Sequence, residues 1–177
     1  MSRSALRLAA APIAILVATP ALAVDEVFET QGPSIQVQTV ADGLEHPWAL
    51  AFLPDGGMLV TERPGRLRHV TADGEISAPI SGVPEVDARS QGGLLDVTLD
   101  PDFADNRLVD ISYAEAGDGG NGTAVARGTL SEDRSALEDV EVIFQQMPKV
   151  ASEQHFGSRL VFDGQGHLFV TLGERSQ

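Results

Sequence analysis

Beyond residue 23, apolar residues come in short runs set apart by clusters of Gly, Pro, Asp and Asn. No long stretch keeps the i, i+3, i+4 apolar spacing of an amphipathic helix. The pattern predicts β-strands over residues 35–40, 49–52, 58–62, 66–70, 94–99, 108–113, 123–130, 140–145, 160–162 and 168–172. The chain reads as all-β and mainly antiparallel.

The runs also repeat. Leu50-Ala51-Phe52-Leu53-Pro54-Asp55-Gly56-Gly57-Met58-Leu59-Val60-Thr61 aligns without a gap on Leu160-Val161-Phe162-Asp163-Gly164-Gln165-Gly166-His167-Leu168-Phe169-Val170-Thr171. Each copy has an apolar strand, a polar turn with glycine at the same place, and an apolar strand ending in threonine. A looser third copy runs from Val97-Thr98-Leu99-Asp100-Pro101-Asp102-Phe103 to Asn106-Arg107-Leu108-Val109. Hairpins recurring every ~45–65 residues have the spacing of four-stranded propeller blades, whereas a β-sandwich gives turn signals without this recurrence. The expected fold is a partial β-propeller of four-stranded antiparallel blades, two blades plus part of a third over residues 24–177. Propellers close with about 4–8 blades, so these residues are expected to be the N-terminal part of a larger, truncated domain. An open set of blades leaves a face unburied and is expected to be marginally stable or prone to association.

Residues 1–23 read differently. Arg3 and Arg7 form a basic segment, residues 8–17 are almost wholly apolar, and Ala21-Leu22-Ala23 is a small-x-small cleavage site. This is the layout of a secretory signal peptide cut before Val24, with an apolar run too short to span a bilayer comfortably. A periplasmic or secreted domain with no membrane span follows as the expectation. The chain carries 12 basic and 26 acidic residues; without Arg3 and Arg7 the balance is 10 against 26, a net −16. So acidic a surface argues against nucleic acid or anionic lipid as a partner. There is no cysteine, which removes disulfides, thiol catalysis and thiolate metal sites.

Two stretches could carry chemistry. His155 follows the polar loop Ala151-Ser152-Glu153-Gln154 and precedes Phe156-Gly157-Ser158, small residues that let the backbone turn sharply. Glu174 stands just past the second strand of the following hairpin, so the two loops are expected at one end of it. A carboxylate on one ring nitrogen fixes the tautomer and leaves the other nitrogen to accept a proton. The residues alone leave open a plain surface-loop histidine, and an ion pair of Glu174 with Arg159 or Arg175. The second stretch is Gln91-Gly92-Gly93, leading into the apolar Leu94-Leu95, where glycine permits close backbone approach and glutamine offers a donor and an acceptor. An ordinary connecting loop is the alternative there.

Trp48 is expected to be a core anchor, and His69 and His167 to be solvated. Asp110 interrupts an otherwise apolar strand and is expected to tilt it or to face solvent. Residues 115–122 lack the alternating acidic ligands of a calcium loop and read as a hairpin tip.

Taken together, His46-Pro47-Trp48-Ala49-Leu50-Ala51-Phe52-Leu53-Pro54-Asp55-Gly56, Thr61-Glu62-Arg63-Pro64-Gly65, Gln91-Gly92-Gly93-Leu94-Leu95, Asp100-Pro101-Asp102-Phe103 and His155-Phe156-Gly157-Ser158-Arg159-Leu160 resemble the soluble PQQ-dependent aldose sugar dehydrogenases, relatives of soluble glucose dehydrogenase. The resemblance covers about residues 35–177. It implies a six-bladed propeller that binds PQQ with Ca²⁺ on its axis and oxidises the anomeric carbon of an aldose to a lactone. It matches His155 to the catalytic base, which also contacts the cofactor, Glu174 to the acidic residue bonded to that histidine, and Gln91 to a glutamine that contacts the quinone. An external quinone or cytochrome is the implied electron acceptor. The calcium ligands and the cations that hold the PQQ carboxylates are expected in later blades. Glu174 departs from the usual Asp. A propeller lactonase or sugar hydrolase using metal-activated water, and a non-catalytic binding module, are the competing readings.

Overall fold

The computed structural model describes residues 24–177, so the signal-peptide reading of residues 1–23 lies outside the described residues. It divides into two units. In the first, β1 (Asp25–Phe28) and β2 (Ile35–Gln38) form an antiparallel hairpin in the register Asp25↔Gln38 to Phe28↔Ile35.

The second unit, residues 39–177, holds three antiparallel sheets. β3 (Pro47–Phe52), β4 (Met58–Glu62) and β5 (Arg66–Val70) make a three-stranded meander. β6 (Leu94–Leu99), β7 (Leu108–Gly117), β8 (Gly120–Leu130) and β9 (Leu137–Gln145) make a four-stranded one, with the short helix α1 (Phe103–Asn106) between β6 and β7. β10 (Gly157–Phe162) and β11 (Leu168–Leu172) form a hairpin. The predicted strands at 58–62, 66–70, 94–99 and 168–172 have the observed bounds. β1 and α1 were not anticipated.

The sequence repeat is a structural repeat. Leu53 N donates to Gly57 O at 2.8 Å in the β3–β4 turn, and Asp163 N donates to His167 O at 2.9 Å in the β10–β11 turn. Gly56 and Gly166 hold the same left-handed position, φ +89° and +86°, where a side chain is disfavoured. Each of β3, β6 and β10 carries a register irregularity in its first turns, between Pro47 and Leu50, Leu94 and Val97, and Gly157 and Leu160.

A hydroxyl on the neighbouring strand serves each irregularity. Thr61 Oγ1 accepts from Ala49 N at 3.0 Å, Ser112 Oγ from Asp96 N at 3.0 Å, and Thr171 Oγ1 from Arg159 N at 2.9 Å. Two of these hydroxyls also tie one sheet to the next. Thr61 donates to Leu95 O and Ser112 to Ser158 O, each at 2.6 Å. Thr61 and Ser112 are thus polar links between neighbouring sheets, where every buried backbone group needs a partner.

The main core lies between the first two of these sheets. Leu59, Leu67 and Ile80 pack with Leu94, Val109, Ile111, Tyr113, Ala124 and Ala126. A smaller cluster of Leu95, Ala114 and Phe156, with Trp48 against it, joins the four-stranded sheet to the segment entering β10. β7 is therefore covered on both faces, and this corrects the expectation for Asp110. It is fully buried, and its two oxygens accept from Arg127 Nε at 2.9 Å and Nη2 at 3.0 Å across the β7–β8 register. The charge is paired where it lies, while burial pushes the carboxyl's pKa up. His69 is likewise half-buried rather than solvated, within 2.8 Å of Arg134 Nη1, and burial lowers its pKa. His167 is exposed, with Nδ1 2.9 Å from Asp163. Residues 115–122 form the β7–β8 hairpin tip.

Candidate active site

Three loops converge at one end of these sheets. The first connects β4 to β5 and carries Arg63. The second, residues 71–93 between β5 and β6, carries Gln91. The third, residues 146–156 between β9 and β10, carries His155. Glu174 lies just past β11.

His155 sits at φ +51°, a left-handed conformation uncommon for a residue with a side chain. Neighbouring groups hold it there. Its N–H donates to Gln91 Oε1 at 2.9 Å, and Gln91 N donates to Glu153 O at 3.1 Å, so the Gln91 and His155 loops are sewn together in both directions. Next along, Phe156 O accepts from Thr123 Oγ1 at 2.9 Å and from Gly173 N at 3.1 Å. Gly173 has to be glycine here, because a Cβ on it would stand 1.7 Å from the His155 carbonyl oxygen.

On the ring, Nδ1 is paired with Glu174 Oε1, and Ser176 Oγ lies 3.2 Å from the same nitrogen. The His155 contact holds the Glu174 carboxyl below its usual range. Both side chains are about half exposed. Glu174 is therefore bonded to the histidine and not to an arginine: Arg159 pairs with Asp96 at 2.7 Å, and Arg175 turns inward. With Nδ1 engaged, Nε2 is the nitrogen left to exchange a proton.

A pocket of about 310 Å³ opens beside the ring, lined by Trp48, Arg63, Gln91, Leu95, His155, Phe156 and Gly157. The structure thus brings together His155, Glu174 and Gln91, all three site residues read from the sequence. It adds Arg63, whose Nη1 donates to Ser90 O and which has no carboxylate within salt-bridge distance among the described residues. Sequence reading missed Arg63 because its motif, Thr61-Glu62-Arg63-Pro64-Gly65, was noted without a role. Trp48 is part core and part wall: it packs against Leu95, Ala114 and Phe156, lines the pocket, and carries the Arg159 guanidinium 5.0 Å from its ring centroid. A larger groove of about 610 Å³ lies over β3 and β4; its only titratable lining residue is Arg159, so it offers no acid–base pair.

Residues 44–177 match the family described as Glucose / Sorbosone dehydrogenase. The chain belongs to this family. Among its relatives, the aldose sugar dehydrogenase YliI of Escherichia coli is 56% identical over 81% of this chain and 39% of its own length. The crystal structure of the Escherichia coli soluble aldose sugar dehydrogenase in its apo-form superposes with a TM-score of 0.75 at 57% identity, covering 78% of this chain and 40% of that one. The PQQ-bound form of the Streptomyces coelicolor aldose sugar dehydrogenase matches with a TM-score of 0.66 at 28% identity, covering 90% and 45%. The chain thus spans roughly two fifths of the length of the family members it matches. Within the family's matched span fall Gln91, His155 and Glu174, together with Arg63 and Trp48.

Proposed function

We propose that this chain is the N-terminal part of an exported six-bladed β-propeller enzyme that oxidises the anomeric carbon of aldose sugars to lactones with PQQ, and that His155 is its general base. The observation that carries the reading is the His155 ring. Its Nδ1 is held by a carboxylate, its other nitrogen is unengaged, and it borders a pocket shared with Gln91 and a cation. Kinship with aldose sugar dehydrogenases, one of them solved with PQQ bound, supports the substrate class and the cofactor.

The residues present suit a flat, polyanionic quinone. Arg63, free of any carboxylate among the described residues, offers a cation to a carboxylate. The Gln91 Oε1 is spent on the His155 amide, which leaves its NH₂ to donate to a ligand oxygen. The Trp48 and Leu95 side chains supply apolar wall. When bound, PQQ supplies the electrophilic acceptor for the hydride that leaves the sugar's C1. His155 Nε2 removes the proton of the anomeric hydroxyl as that C–H bond breaks, so C1 becomes the lactone carbonyl. Glu174 keeps the proton-accepting tautomer in place and stabilises the imidazolium that forms. An external quinone or cytochrome would be the final electron acceptor.

Calcium is a different matter. Among the described residues no group of three or more His, Asp or Glu side chains is placed to hold a metal. Ca²⁺ is proposed only as a requirement of the whole enzyme.

The test is dye-linked oxidation of a panel of aldoses by the full-length enzyme with and without PQQ. Activity that depends on PQQ is expected. His155→Ala is expected to lower kcat by roughly 10²–10⁴-fold, the range for loss of a general base, while PQQ is still bound. Near-normal turnover in that variant would remove His155 from the role. Lactone hydrolysis with a divalent metal and no PQQ would overturn the reaction class.

A further inference from the structure

Arg175 follows Glu174 directly, yet its side chain turns the other way. It is 2% exposed, and among the described residues no carboxylate lies within salt-bridge distance of it. A buried guanidinium without a counter-ion is costly unless its donors are all satisfied. Here four oxygens engage all three of its nitrogens. Nε donates to Gln154 O at 2.8 Å, Nη2 to Ser152 O at 2.6 Å and to Asn121 Oδ1 at 2.5 Å, and Nη1 to Asn121 O at 3.2 Å. The Phe156 ring lies against the cation, 3.9 Å from centroid to guanidinium carbon.

Three of these partners, Ser152, Gln154 and Phe156, surround His155 in sequence. The fourth ties the same loop at its start, because Asn121 and Val150 exchange backbone hydrogen bonds at 3.1 and 3.0 Å. Asn121 is fixed in turn by donating Nδ2 to Asp87 Oδ2 at 2.8 Å. Asp87 is itself held by Arg89, so the guanidinium is anchored to the four-stranded sheet and the loop is folded around it.

We infer that Arg175 is a positioning residue for His155: it fixes the backbone of residues 152–156 while its neighbour Glu174 fixes the ring. The inference rests on the proposed role of His155, but its first consequence does not. Two consecutive residues after β11 set the base by different means, Glu174 from the exposed side and Arg175 from the buried side. Committing the guanidinium to carbonyls also keeps it off Glu174, which leaves that carboxylate to the imidazole.

The decisive measurement is a double-mutant cycle in the full-length protein, using Arg175→Met, with hydrogen exchange followed over residues 150–156. Misplacing a base by about an ångström lowers kcat by roughly 10²-fold, so that loss is expected for Arg175→Met, with sugar KM and PQQ affinity unchanged within about twofold. In the His155→Ala background the same substitution is expected to lower kcat no further, because its effect runs through the histidine. Exchange at residues 152–156 is expected to quicken while the β6–β9 sheet keeps its protection. Equal losses of kcat in both backgrounds, or unchanged exchange in the loop, would overturn the inference. If Arg175→Met does not fold, Arg175→Lys keeps the charge but loses the forked donation, and the same pattern is expected of it. Absence of PQQ-dependent activity in the unsubstituted protein would sink the proposed function and leave the exchange result to decide the role of Arg175.

Discussion

The Glu174 carboxylate is longer by one methylene than the aspartate expected at its place, and it still reaches Nδ1 of His155. The pair is half exposed, so its worth lies in fixing a tautomer more than in stability. Glu174→Gln is expected to lower kcat by about 10–100-fold, the usual cost of losing a histidine's orienting partner, with cofactor affinity retained; dye-linked kinetics and a PQQ titration check both halves. Asp87 carries a pH prediction. Arg89 first, and then Asn121, hold its carboxyl well below the carboxylate range. A depressed carboxyl stabilises the fold above its unfolded value of about 3.9, and that stability is lost as pH falls through the folded value. The difference in urea midpoint between the parent and Asp87→Asn is therefore expected to be widest near neutrality and to close as pH is taken below about 4. A gap independent of pH would mean that Asp87 acts through shape alone.

At the scale of elements, the repeated hydroxyl is the unit that joins sheet to sheet. Thr61 is fully buried and serves Ala49 N and Leu95 O together. Thr61→Val keeps the shape but strands both groups, which is expected to cost about 1–3 kcal/mol in chemical denaturation, whereas Thr61→Ser keeps the hydroxyl and costs less. Elements were legible where one signal dominated. β4, β6 and β11 are largely apolar runs bounded by turn residues, and the glycines of the two aligned turns mark positions with positive φ. α1 was not legible, because four residues give no periodicity to read. The outer strand β9 is mostly exposed, and its start at Leu137 precedes the apolar run that marked it in the sequence.

At the scale of the whole molecule, the apolar surface is unevenly spread. Leu50 and Phe52 on β3, Val161 on β10, and Phe169 and Leu172 on β11 are between 47% and 70% exposed. Both sheets belong to residues 39–177, and both leave large side chains in water, which monomeric proteins avoid over contiguous areas. Residues 24–177 prepared alone are expected to self-associate at about micromolar concentration in spite of the net negative charge, with larger species in light scattering; a monodisperse monomer with a cooperative, high-temperature melt would contradict this. Among the described residues no helix is long and apolar enough to cross a membrane.

By itself the sequence determined the strand class and the repeat, and singled out His155, Glu174 and Gln91 as candidate site residues. Each of these is written in residues close together in the chain or in a motif of fixed order. Tertiary structure alone decided the rest, because it depends on pairings across long separations. Gln91 meets His155 over 64 residues, Arg175 meets Asn121 over 54, and Arg127 meets Asp110 across a strand pair buried on both faces. A local pattern gives the polarity of Asp110 or Arg175 but not whether a partner awaits it. Only the packing of one sheet on the next turns an expected surface aspartate into a buried ion pair, and gathers the carbonyls of the His155 loop around the buried Arg175.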